Sequence, residues 1–127
     1  YKLAHKNHPS TIWVRTSSEN YRWLFNHYDA LMQEYTYRYD KTHATSRLRD
    51  ALGKTPDNMP AIQLTDTPWA APPQCMPDYC KGDDAVLAYQ TYYIVEKSGF
   101  AKWKRRDIPE WFNAERELLG LHGPANA

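Results

Sequence analysis

The chain has 127 residues, 42% of them hydrophobic and 14% aromatic, which is the size of one domain with a real but modest core. No apolar run approaches the ~20 residues of a membrane span, and there is no secretory leader or Asn-x-Ser/Thr acceptor, so a soluble, cytoplasmic protein without a membrane partner is expected. The formal charge of +1 says little about partners, but its distribution is uneven: Lys97, Lys102, Lys104, Arg105 and Arg106 fall close together while the acids are scattered.

Residues 1–7 are polar and basic and read as an extended lead-in. Pro9 then stands at a helix-start position ahead of Ile12, Trp13 and Val14, which predicts a short first helix with His8 held at its mouth. The long stretch Ser17–Tyr39 follows, with neither Gly nor Pro inside it. Tyr21, Leu24, Phe25, Tyr28, Leu31, Met32, Tyr35 and Tyr39 recur at three- and four-residue steps, predicting an amphipathic helix with an aromatic core stripe, capped by Ser17 or Ser18. A second stripe of Asn20, Trp23, His27, Glu34 and Arg38 runs beside it. Those five side chains can line a site, or form a solvated flank in which an exposed Glu34–Arg38 pair adds about 0.3–0.5 kcal/mol.

Asp40–His43 breaks the pattern, and Thr42 or Thr45 is placed to cap a third helix through Leu52, ended by Gly53 in a left-handed conformation. Lys41, His43, Arg47 and Arg49 gather near Arg38, either as a solvated corner or as phosphate contacts. Residues 54–82 contain six prolines, which preclude a long regular element, but the interspersed Met59, Ile62, Leu64, Trp69 and Met76 predict a packed loop rather than a domain boundary. Cys75 and Cys80 lack further His or Cys partners, so reduced thiols are expected and no metal site is assigned; nothing points to a cofactor.

An Asp before Ala85 caps the next helix, which runs to Ser98 with apolar residues around much of its circumference, predicting burial between other elements. In Phe100–Arg106 two aromatics alternate with four cations. Such a mixture suits nucleic acid, cations against phosphates and a ring against a base; the plainer arrangement puts Phe100 and Trp103 in the core with the cations outside. Asp107 and Pro109 open a last helix toward Leu119, ended by Gly120, with Trp111 in the core. No strand alternation or internal repeat is found, so the fold is expected to be all-α, a single compact domain of about five helices.

The pattern His8-Pro9, Trp13, Ser17, Asn20-Tyr21, Trp23-Leu24, Glu34-Tyr35, Arg38-Tyr39 and His43, with Asp84–Tyr93, Lys97, Ala101-Lys102-Trp103 and Pro109-Glu110-Trp111, resembles a group of phage and bacterial proteins placed with the pyrimidine dimer DNA glycosylases, the endonuclease V family. The resemblance covers most of residues 8–112. It implies a helical repair enzyme that binds double-stranded DNA, extrudes a nucleotide and cleaves the glycosidic bond through an amine that forms a Schiff base, then the strand. It further implies Glu34 as the catalytic carboxylate, Arg38 and His43 on phosphates, and Lys97, Lys102, Lys104, Arg105 and Arg106 on the duplex with Trp103 stacking. The characterised enzymes start with Thr where this sequence starts with Tyr1, their carboxylate falls slightly after the position of Glu34, and the group carries an additional amino-terminal segment. A non-catalytic DNA- or protein-binding module and a phage structural component are the alternatives. His8, Asn20, Trp23 and His27 are further site candidates.

Overall fold

In a computed structural model the chain is described at residues 1–59 and 70–118, the last four by their backbone alone. Among the described residues the fold is all-α, with five α-helices, two short 3-10 segments and no strand. The chain divides into two compact units, Tyr1–Pro73 and Gln74–Ala127, the division falling between Pro73 and Gln74 in the sequence.

In the first unit, α1 spans Pro9–Thr16 and α2 spans Ser18–Tyr39. The two imidazoles of this unit that stand at N-cap positions do the work usually given to Ser or Asp. His8 Nδ1 accepts from Ser10 N at 3.1 Å to open α1, and His43 Nδ1 accepts from Thr45 N at 3.1 Å to open a 3-10 segment, Ala44–Leu48. Thr42 and Thr45 therefore do not cap, contrary to expectation. The third helix is shorter than its pattern suggested: α3 is the single turn Arg49–Leu52 after that 3-10 segment. Nor is Gly53 left-handed, with φ at −68°. A Cβ there would stand 3.2 Å from Arg49 O and 3.4 Å from the Phe25 ring, so its place in the sequence follows from close approach. A left-handed closure is found at the end of α2, where Asp40 stands at φ 52° and ψ 32° and its N–H returns to Thr36 O at 2.9 Å.

Only part of the anticipated stripe of α2 is covered. Tyr21, Phe25, Tyr28, Met32 and Tyr35 are half-buried at alternating four- and three-residue steps, whereas Leu24, Leu31 and Tyr39 are exposed. The reason is the slenderness of what packs there. Residues 43–53 form one narrow strip held to the seam by Tyr28 Oη donating to Thr45 O and Tyr21 Oη to Leu52 O, both at 2.7 Å, and by the Tyr35–His43 edge contact. A strip covers a seam, not the full width of an apolar face.

The second unit contains a 3-10 turn, Asp78–Cys80, then α4, Ala85–Lys97, and α5, Glu110–Leu118. Asp84 caps α4 as expected, its Oδ1 accepting from Val86 N at 2.8 Å and Leu87 N at 3.1 Å. Asp107 does not open α5; Pro109 stands ahead of it, its carbonyl accepting from Phe112 N and Asn113 N. The core is built on Ile94 and the fully buried Phe112, with Ala101, Trp103, Ile108 and Trp111 packed around them. Only Ala88 and Ile94 of α4 are buried, so that helix is not enclosed on all sides: Val86, Leu87, Tyr93 and Val95 are exposed. Neither cysteine forms a disulfide. The anticipated loop contacts of Ile62, Leu64 and Trp69, and the helix end at Leu119 and Gly120, lie outside the described residues.

Candidate nucleic-acid interface

The polar edge of α2 resolves into two groups. At the α1–α2 corner, Ser17 caps α2 by accepting from Asn20 N at 3.1 Å, and the Asn20 side chain donates to Trp13 O at 2.9 Å. Both Ser17 and Asn20 are buried, which assigns Asn20 to tying the two helices together rather than to a ligand-facing place. Its Oδ1 is buried without a hydrogen-bond partner among the described residues. Trp13 also donates from Nε1 to Ala70 O at 3.0 Å, so both its backbone and its ring are pinned. Against this fixed indole stands Trp23 at 5.7 Å and 89°, and Trp23 in turn lies parallel to His27, with centroids 5.4 Å apart and planes 3° from coplanar. Trp23 and His27 remain exposed.

Farther along, Arg38 Nε meets Glu34 Oε2 at 2.7 Å. With Glu34 29% and Arg38 19% exposed, this pair is half-buried and not the fully solvated ornament that four-residue spacing alone permits. Ala30 and Leu31, both exposed, separate it from His27.

The basic corner is less concentrated than its spacing implied. Arg49 forks onto Asp29 at 2.7 and 3.4 Å and covers the Phe25 ring, and Arg47 lies over the Tyr1 ring. The Arg49 guanidinium lowers the Asp29 carboxyl below its ordinary value, chiefly by hydrogen bonding. His43 is half-buried, held by its capping bond and by Tyr35. A shallow cleft of about 370 Å³ opens between α2 and this strip, lined by Asp29, Met32, Gln33, Thr36, Ser46 and Arg49. Of the residues weighed as phosphate contacts Arg49 alone lines it, and the i, i+20 pairing of Asp29 with Arg49 that walls it had no local signal in the sequence.

In the second unit the cations and aromatics of residues 97–106 part company. Trp103 turns inward against Phe112 at 5.4 Å and Trp111 at 6.3 Å. It is a half-buried core residue, which leaves little of its ring for stacking on a base. Trp103 O accepts from Arg106 N at 2.9 Å, closing a tight turn with Lys104 and Arg105 at its tip. Arg105 occupies the left-handed region at φ 61°, a conformation that costs a residue with a Cβ about 1–2 kcal/mol. Lys102, Lys104, Arg105 and Arg106 are all exposed around this turn. Lys97 is set differently: its ammonium lies 5.1 Å from the Tyr92 ring centroid and 5.5 Å from that of Phe100, a cation held by two aromatic faces.

Among the described residues no group of three or more His, Cys, Asp or Glu side chains could hold a metal ion, and no helix is long and apolar enough to cross a membrane. Comparison with protein-family models, with curated proteins and with solved structures finds no match.

Proposed function

We propose that this chain binds double-stranded DNA through the cationic turn of its second unit. The observation that carries the reading is the division of labour within residues 102–106: Trp103 anchors the turn in the core while four cations stand exposed around it. Exposed cations gathered around one short turn can meet neighbouring phosphates together, and their attraction to DNA weakens with salt through counterion release. Retention of a duplex oligonucleotide is expected to fall steeply with salt, and Lys104→Ala and Arg106→Ala are each expected to flatten the log–log slope by about 0.9. Salt-independent retention, or none at low salt, would remove DNA from the account and leave a protein-binding or phage structural role.

The finer proposal is repair chemistry of the glycosylase and lyase kind in a bacterial or phage-infected cell, supported by the resemblance of most of residues 8–112 to the phage and bacterial group placed with the pyrimidine dimer glycosylases. Glu34 is the carboxylate assigned to it, with Arg38 holding it in place. Borohydride trapping on dimer-containing or abasic DNA is expected to give a covalent adduct that Glu34→Gln abolishes or strongly weakens. Salt-dependent binding with no adduct would make the chain a non-catalytic DNA-binding module.

A further inference from the structure

We infer that Cys75 and Cys80 are a thiol pair that closes to an intramolecular disulfide under oxidation, an inference independent of the DNA reading. In an extended chain the five-residue step between them would hold their Cα atoms about 17 Å apart. The second unit folds that segment back on itself. The Gln74 side chain clasps the Gly82 backbone in both directions, its Nε2 donating to Gly82 O at 2.6 Å and its Oε1 accepting from Gly82 N at 3.0 Å. Residues 74–82 thus form a closed loop, with one cysteine beside the clasp and the other two residues inside it. Within the loop Cys80 N returns to Pro77 O at 2.9 Å, and the 3-10 turn Asp78–Cys80 advances only about 2 Å per residue. Both limbs are seated on α4: Tyr89 Oη accepts from Cys75 N at 3.3 Å, and the turn that ends in Cys80 packs against the same helix. A disulfide asks for Cα atoms about 4.4–6.8 Å apart, a separation that a loop clasped at its ends and folded at one limb can reach.

Burial sets the order of events. Cys80 is 3% exposed and Cys75 is half-buried, so Cys75 meets the oxidant, a low-molecular-weight disulfide such as oxidised glutathione. The Cys75 thiolate attacks one glutathione sulfur, which forms a mixed disulfide and expels the first glutathione thiolate. The Cys80 thiolate then attacks the Cys75 sulfur and expels the second. The two protons that the cysteines gave up leave on two reduced glutathione molecules, and the protein has lost two electrons. Closed, the bond cross-links the segment that leads into α4 and replaces a hydrogen-bonded clasp with a covalent one.

The test uses the full chain in buffers of graded reduced and oxidised glutathione, read by intact-protein mass spectrometry. The monomer is expected to lose about 2 Da, its two thiol hydrogens, and to regain them with dithiothreitol. Cleavage before Asp78 should give two peptides that stay joined until reduction. Cys80→Ala should stop at one glutathione adduct, and Cys75→Ala should stay unmodified, because the remaining thiol is buried. Gln74→Ala opens the clasp and should lower the equilibrium constant for closure about ten-fold. Far-UV circular dichroism checks that each variant is helical, and the reading on the unaltered chain needs no variant. An unaltered chain that accumulates glutathione adducts, links to a second copy or stays reduced overturns the pairing. A Gln74→Ala variant that closes as readily as the unaltered chain overturns the clasp as its cause.

Discussion

Replacing Arg105 separates backbone strain from side-chain function. Its φ of 61° is held by the turn that Trp103 and Arg106 close, and the penalty for a residue with a Cβ there is about 1–2 kcal/mol. Arg105→Ala keeps that penalty and removes the guanidinium; Arg105→Gly removes both. Glycine loses about 0.5–1 kcal/mol more chain entropy on folding. The glycine variant is therefore expected to be more stable than the alanine variant by about 0–1.5 kcal/mol, or up to about 12 °C in Tm for a unit of this size. Both variants should lose the same share of duplex affinity, with the salt slope flattened by about 0.9. Thermal unfolding followed by circular dichroism gives the first quantity and a salt titration of duplex binding the second. Greater stability of Arg105→Ala, by the roughly 0.5–1 kcal/mol that glycine's chain entropy alone would cost, would show that the turn carries no left-handed strain.

Two further outcomes follow from the packing and the titratable groups. Phe112→Ala empties the centre of the second unit, where the ring is fully buried against Trp103, Trp111 and Ile94, and should cost about 3–5 kcal/mol, read as a lower urea midpoint in tryptophan fluorescence. The first unit should weaken at both ends of the pH scale. Asp29, whose folded carboxyl is lowered by the Arg49 hydrogen bond, contributes stability above its unfolded value of 3.8 that is lost as pH falls through the lower folded value. Tyr21, raised by burial from 10.0 and donating to Leu52 O, contributes stability that is complete below pH 10 and is lost as pH rises above it. Urea midpoints across pH check both limbs: Asp29→Asn should blunt the acid limb, and Tyr21→Phe the alkaline limb.

The limits of the long helix were legible because they depend on residues next to each other in the chain: Ser17 caps its start, and the absence of Gly and Pro lets it run to Tyr39. The same held for Pro9 in α1 and Asp84 at α4. What periodicity could not say was how wide the covering layer would be. Leu24 and Leu31 obey the spacing of a core face yet stay exposed. Competition among local donors and acceptors hid the rest. His43 won the cap expected of Thr42 or Thr45, and Gly53 ends α3 without the left-handed conformation expected of it. At the candidate site, Glu34 and Arg38 were correctly paired by their four-residue spacing, but their partial burial was not in the spacing. The inward turn of Trp103 depends on Phe112, nine residues away, and the pinning of Trp13 depends on Ala70.

The imidazole caps carry a consequence for coordination chemistry. A ring that accepts a backbone N–H at Nδ1 offers its proton from Nε2, so the nitrogen that His8 and His43 turn away from the backbone is a donor. It suits an anionic oxygen. Transition-metal ions need the opposite, a lone pair, and could claim one only by moving the proton and freeing the first turn of α1 or of the segment after His43. Nickel or zinc bound at either of these two imidazoles should thus loosen the turn that the imidazole caps.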